Sequence, residues 1–243
     1  MLDDTAASTG AHGESAMRIV VFGATGMVGQ GVLRECLLAS DVELALAVGR
    51  AATGQRHDKL RELVTDNLFD LGRNRGDLTG FDACFFCLGV SAAGMGAADY
   101  RRVTRDLTLS VGQTLVQLNP GMTFIYVSGA GTDSTERGRS MWARVKGETE
   151  NALLRLPFKA AHMFRPGYIQ PLHGVKSRTR WYRAAYAAMG PFYPLLRAGF
   201  PRTVTTTEEV GKAMLEVARQ GAPRAVLETA DINELAARAS GPA

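Results

Sequence analysis

Residues 18–29, Arg18-Ile19-Val20-Val21-Phe22-Gly23-Ala24-Thr25-Gly26-Met27-Val28-Gly29, restrict the possible folds more than any other stretch. Four apolar residues run straight into glycines at 23, 26 and 29, the pattern of a strand buried on both faces that ends in a tight turn. After Gly29 the rhythm changes, and Val28, Val32 and Cys36, with Leu33 and Leu37, recur at helical spacing. Strand, glycine turn and helix together form the context in which a Gly-rich triplet implies dinucleotide binding. Gly23 permits the sharp turn, Gly26 lets the backbone approach a pyrophosphate, and Gly29 allows close packing of helix on strand. The helix N-terminus would then face the phosphates with unpaired N–H groups. An ordinary strand-turn-helix unit would use the same glycines for packing alone; the flanking periods favour the nucleotide reading.

The rest of the chain is consistent with that start. Its 243 residues are 46% hydrophobic, enough for one core. The net charge of +4 is spread over scattered Lys and Arg without a run of five or six, so no nucleic-acid partner is expected. Cys36, Cys84 and Cys87 are odd in number, and two of them lie in an apolar run. This fits reduced thiols and a cytoplasmic location. Cys84 and Cys87 form a C-x-x-C, but no second pair or nearby His completes a metal set, and both are expected in a strand core. Residues 1–16 lack an apolar signal region and are expected to be a disordered leader, with Met17 an alternative start. No run of 18 uncharged apolar residues predicts a membrane span.

Further elements follow in alternation. Residues 43–50 form a second buried strand, ending where a nucleotide-binding unit places its ribose-selecting residue. An acidic residue there would accept from a free 2′-hydroxyl; this chain has Arg50, whose guanidinium can pair a 2′-phosphate. Arg50 therefore favours NADP(H) over NAD(H). Residues 59–68 are a short helix or strand, 81–88 a strand ending at Gly89, and 97–118 one long amphipathic helix stopped by Asn119-Pro120-Gly121. A fifth strand at 122–127 delivers Ser128, a helix covers 140–154, and a sixth strand at 160–164 leads into Arg165-Pro166-Gly167-Tyr168. The alternation predicts an α/β fold: a doubly wound parallel sheet of the NAD(P)-binding Rossmann type over residues 17–174, completed by a small C-terminal helical lobe over 175–243. Within that lobe, residues 181–200 suggest a lid over the substrate end, with an interfacial membrane helix as the weaker alternative. Thr206-Thr207-Glu208-Glu209 is a capping-box pattern, and a last helix is expected at 231–239.

Five motifs occur in order: Gly23-Ala24-Thr25-Gly26-Met27-Val28-Gly29, Cys87-Leu88-Gly89, Tyr126-Val127-Ser128-Gly129, Val145-Lys146-Gly147-Glu148 and Phe164-Arg165-Pro166-Gly167. Together they resemble the atypical short-chain dehydrogenase/reductases, close to the NAD-dependent epimerase/dehydratase-like proteins and the Tat-interacting oxidoreductases. The similarity runs from Met17 to about Gly174. It implies cofactor contacts at Gly23, Thr25, Gly26, Met27, Val28, Gly29, Arg50, Leu88, Gly89, Ser128, Lys146 and Pro166, and an adenine contact at Asp66, after the third strand.

In that family a Ser orients the substrate oxygen, a Tyr in Y-x-x-x-K passes the proton, and the Lys holds the nicotinamide ribose. Ser128 and Lys146 match these positions, but Trp142 stands where the Tyr belongs. An indole N–H only donates and cannot work as an acid or base near neutrality. Tyr168, after the sixth strand, is the substitute hydroxyl that position suggests. The resulting expectation is an NADP(H)-binding oxidoreductase or epimerase-type enzyme on a small organic substrate. Its rival is a non-catalytic dinucleotide-sensing or scaffold protein.

Overall fold

The computed structural model describes residues 16–175 and 193–239. The expected leader and most of the proposed lid at 181–200 lie outside these residues.

The strand predicted from the opening run is β1 (Met17–Phe22), followed by α1 (Met27–Leu38), β2 (Val42–Gly49), β3 (Leu60–Val64) and β4 (Ala83–Phe86). After β4 come α2 (Ala97–Arg101), a π-helical turn (Arg102–Asp106), α3 (Leu107–Leu118), β5 (Thr123–Val127), α4 (Met141–Leu153) and β6 (Ala160–Arg165). The chain continues through β7 (Tyr168–Gln170), α5 (Tyr193–Gly199), β8 (Val204–Thr206), α6 (Thr207–Gln220), β9 (Val226–Glu228) and α7 (Thr229–Arg238). Seven strands form a parallel sheet in the order β3-β2-β1-β4-β5-β6-β9, and β7 pairs with β8 in a separate two-stranded ribbon. The expected doubly wound parallel sheet is therefore present.

Alternation along β1 shows why both faces are covered. Ile19 and Val21 point into one core cluster with Val32, Leu33 and Cys36 of α1 and Val210, Met214 and Val217 of α6. Val20 and Phe22 point into the other, with Val111 and Leu115 of α3 and Leu153 of α4. In that second layer Phe22, Phe86 and Phe124 stack in succession, with ring centroids 5.5 and 6.0 Å apart. Strand order reverses between β1 and β4, so the sheet's crevice opens beyond the carboxyl ends of these strands.

Several boundaries differ from expectation. The segment at 59–68 is a strand only over Leu60–Val64, zipped to β2 through Ala45–Gly49. The helix expected at 97–118 is interrupted by the π turn, a register change that a period of 3.6 cannot reveal. Thr206 caps α6 by accepting from the Glu209 N–H at 3.0 Å. The Glu209 carboxylate is taken by Arg197 of α5, at 2.5 and 2.7 Å. A full capping box occurs instead at α7, between Glu228 and Asp231, and starts that helix two residues earlier than expected. No described helix is long and apolar enough to cross a membrane.

Candidate functional site

The glycine turn is built as its spacing suggests. Gly23 has φ +82°, and a Cβ there would lie 2.8 Å from the backbone of Cys87 and Leu88, so β1's exit is pressed against β4's. A Cβ on Gly29 would lie 2.1 Å from the Gly23 carbonyl oxygen. Gly26 donates to that same oxygen at 2.8 Å and occupies the N-cap of α1 without any side-chain cap. The first-turn amides of α1 are thereby left to whatever enters the crevice, a ready anion site.

Two adjoining hollows open here, of about 480 and 440 Å³, and share Gly26, Cys87 and Gly89 in their walls. The second hollow is walled by Gly23, Thr25, Leu88 and Arg50, with Leu68 also in its lining. No carboxylate lines it among the described residues. Asp66 is exposed and lies outside its wall; Leu68 occupies the place beside the trough.

The first hollow gathers Met27, Val28, Ser128, Trp142, Lys146 and Pro166, so the expected cofactor and catalytic positions meet at one end of the crevice. Its remaining walls are Val127, Gly129, Ala130, Gly167 and Ile169. Ile169, not Tyr168, faces it; the Tyr168 hydroxyl donates to Gln170 Oε1 at 2.8 Å. Alternation along β7 puts neighbouring side chains on opposite sides.

Ser128 sits in the wall, but its hydroxyl is engaged elsewhere. Its Oγ is 2.5 Å from Glu150 Oε1 and 3.1 Å from the Phe164 carbonyl oxygen, and one proton serves one acceptor at a time. Glu150 is 1% exposed and is gripped by the Arg165 guanidinium at both carboxylate oxygens, with Nε at 3.0 and 3.2 Å and Nη2 closing the fork. Arg165 also donates to Ser134 Oγ at 2.5 Å and pairs with Glu228 at 3.5 Å. This network, buried at Glu150 and exposed at Ser134 and Glu228, ties α4, β6, β9 and the loop after β5 together behind Ser128. Glu150 went unnoticed in the sequence, although it follows Lys146 by four and so shares its helix face.

Lys146 Nζ donates to the Ser128 carbonyl oxygen at 2.5 Å and lies 5.6 Å from the centre of the buried Tyr126 ring. Desolvation lowers its pKa to about 8, against the opposing pull of Glu150. Cys87 is the other titratable group in the wall, and burial pushes its thiol up to about 12, so it stays protonated and inert. Cys84 behaves likewise in the strand core. Trp142 is 36% exposed; the end of its ring lies against Gly131, where a Cβ would stand 3.5 Å from Cη2.

No family model matches the sequence. Protein HTATIP2 of Rattus norvegicus is 27% identical over 154 residues, covering 62% of this chain and 62% of that protein, less than two thirds of its length. Among solved structures, the Bordetella bronchiseptica enzyme WbmF in complex with NAD+ superposes with a TM-score of 0.63 at 16% identity, covering 93% of this chain and 78% of that one. A UDP-N-acetylglucosamine 4-epimerase from Methanobrevibacter ruminantium M1, bound to UDP-N-acetylmuramic acid, gives 0.64 at 16% identity, covering 87% and 75%. The structural likenesses show the fold. The rat relative supports the resemblance to the atypical short-chain dehydrogenase/reductases drawn from the motifs.

Proposed function

We propose that this chain is an atypical short-chain dehydrogenase/reductase that binds NADP(H) along the crevice and acts as an oxidoreductase or epimerase-type enzyme on a small organic substrate. The observation that carries the cofactor reading is the trough at the β1/β4 switch point: its glycine turn admits no Cβ at Gly23 or Gly29 without collision with backbone, and an uncapped helix end faces it. Arg50 is the cationic side chain in the wall of the second hollow and supports a 2′-phosphate there. Lys146 and Pro166 would flank the nicotinamide end, where the bound dinucleotide supplies hydride chemistry. Around it, Lys146 holds a proton at Nζ and is itself held by the Ser128 carbonyl oxygen. A cytoplasmic location fits the three free thiols.

Two observations favour the rival, a dinucleotide sensor without turnover: Trp142 stands where the acid is expected, and the Ser128 hydroxyl is committed to Glu150. Calorimetric titration with NADPH and NADH tests the cofactor reading. NADPH is expected to bind more tightly, and Arg50→Ser to remove the difference. Loss of charge-assisted hydrogen bonds costs roughly 1.5–3 kcal/mol, or about 10- to 150-fold. Equal affinities in the unaltered protein would refute the role of Arg50. Tight NADPH binding with no oxidation across a broad carbonyl and quinone panel would establish the sensor.

A further inference from the structure

We infer that Lys146 is the catalytic acid of this crevice, its ammonium passing a proton to the oxygen of a carbonyl substrate as hydride arrives at the carbon. The inference rests on the preceding reading for its reductant, a reduced nicotinamide dinucleotide.

A carbonyl that accepts hydride becomes an alkoxide, and a proton donor must be in place at that moment. The Trp142 indole donates a hydrogen bond but does not give up its proton near neutrality. The Ser128 proton is taken by Glu150 or by the Phe164 carbonyl, and the Tyr168 hydroxyl donates to Gln170 outside the wall. The Tyr126 phenol is buried, and desolvation raises its pKa. Cys87 lines the hollow, but burial pushes its thiol up to about 12. Among the described side chains of the wall, Lys146 is the donor left.

Its placement suits the task. Lys146 follows Trp142 by one turn on the same face of α4, and both line the first hollow. An ammonium carries three N–H bonds. The Ser128 carbonyl oxygen accepts one at 2.5 Å, and no other described residue accepts from Nζ. Glu150, one turn further along, would be the natural partner, but Arg165 already grips both of its oxygens. Donors therefore remain for a ligand: one for a ribose hydroxyl, as the resemblance implies, and one for the substrate oxygen. Desolvation also eases release, since it brings the ammonium down to about 8, against about 10.4 for an ordinary lysine. In the step itself, hydrogen leaves the dinucleotide with its electron pair and bonds to the carbonyl carbon. The C–O π pair moves to oxygen, and an Nζ–H bond breaks as the O–H bond forms. The dinucleotide ends oxidised, the substrate an alcohol, and Lys146 a neutral amine that solvent reprotonates.

The charged and titratable groups around Nζ are Glu150 on α4, Tyr126 of β5, Cys87 after β4 and, through Glu150, Arg165 of β6. Burial raises both Tyr126 and Cys87, so a pH limb near 8 belongs to Lys146. The test measures kcat/KM for a panel of carbonyl probes led by 4-nitrobenzaldehyde and cyclohexanone, at saturating NADPH, as a function of pH. Reduction should fall about 10-fold per pH unit above about 8, where the ammonium is lost, and oxidation of cyclohexanol by NADP+ should rise through the same midpoint. Lys146→Arg keeps a cation and its donors but does not release a proton. It should bind NADPH within about 3-fold of the unaltered protein, which shows that it is folded, and lose at least about 100-fold in reduction. Glu150→Gln should move the midpoint lower, because it removes the group that favours the cation. Lys146→Arg turning over at the original rate, or a limb near pH 8 that persists in that variant, would overturn the inference. NADPH binding with no probe reduced would overturn it alone; a protein that binds no NADPH would overturn the dinucleotide reading.

Discussion

Lys146 is subject to two opposing influences. Removal from water disfavours its charge, Glu150 one helical turn away favours it, and desolvation prevails, leaving a pKa of about 8. The expected outcome is that an amine-selective reagent such as trinitrobenzenesulfonate, mapped by mass spectrometry, modifies Lys146 with a midpoint near pH 8. Surface lysines should require a pH near 10.4. Glu150→Gln should move the midpoint lower still, because it removes the group that favours the cation; a midpoint at the ordinary lysine value would refute the desolvated site. The sign for stability follows. Below pH 8 both folded and unfolded chains carry the proton. Between about 8 and 10.5 the unfolded chain holds more, so this residue's penalty on the fold is relieved as pH rises. The place of Lys146 and Ser128 was legible in the sequence because both stand in short ordered motifs. The direction of the Ser128 hydroxyl was not legible, since it is set by Glu150, 22 residues away, and by Phe164, 36 residues away.

At the scale of elements, α4 determines the shape of the first hollow, because Trp142 and Lys146 both ride on it. Two devices fix the helix. The buried Glu150–Arg165 pair anchors it to β6, and Gly147 lets it press on the loop after β5, where a Cβ would fall 1.8 Å from the Asp133 carbonyl oxygen. Backbone cannot yield there as a flexible side chain would. Gly147→Ala is therefore expected to destabilise the fold by at least roughly 1–3 kcal/mol. That should lower the melting temperature by about 2–4 °C for each kcal/mol and displace both site residues. An unchanged melting temperature would show that α4 shifts without cost. The glycine is visible in the sequence, but its neighbour at 133 is not, since the contact joins a loop to a helix. The same limit hid β7, β8 and β9: three residues are too few to show a period, and each depends on a partner strand distant in the chain. Longer elements were legible because their period and their punctuation by glycine and proline agree with the layer they occupy.

For the whole molecule, the two hollows lie on either side of the switch point and share Gly26, Cys87 and Gly89, so one extended ligand would bridge walls contributed by β1, β2, β4, β5 and α4. A ligand that binds only the assembled crevice stabilises the fold by mass action, by about 2.7 kcal/mol at 100 times its Kd. In a chain of this size that corresponds to a rise of about 5–11 °C in melting temperature. With Arg50 in the wall of the second hollow, NADPH is expected to produce the larger shift and NADH at equal concentration a smaller one. In Arg50→Ser the two shifts should converge on the NADH value, since the glycine floor and the helix end are untouched. This pattern separates the guanidinium's contribution from that of the cradle. If Arg50→Ser abolished the response to both dinucleotides, the arginine would be part of the fold's own support, and the selection of a 2′-phosphate would have to be abandoned. If neither dinucleotide shifted the unaltered protein, the crevice would not be a dinucleotide site at all.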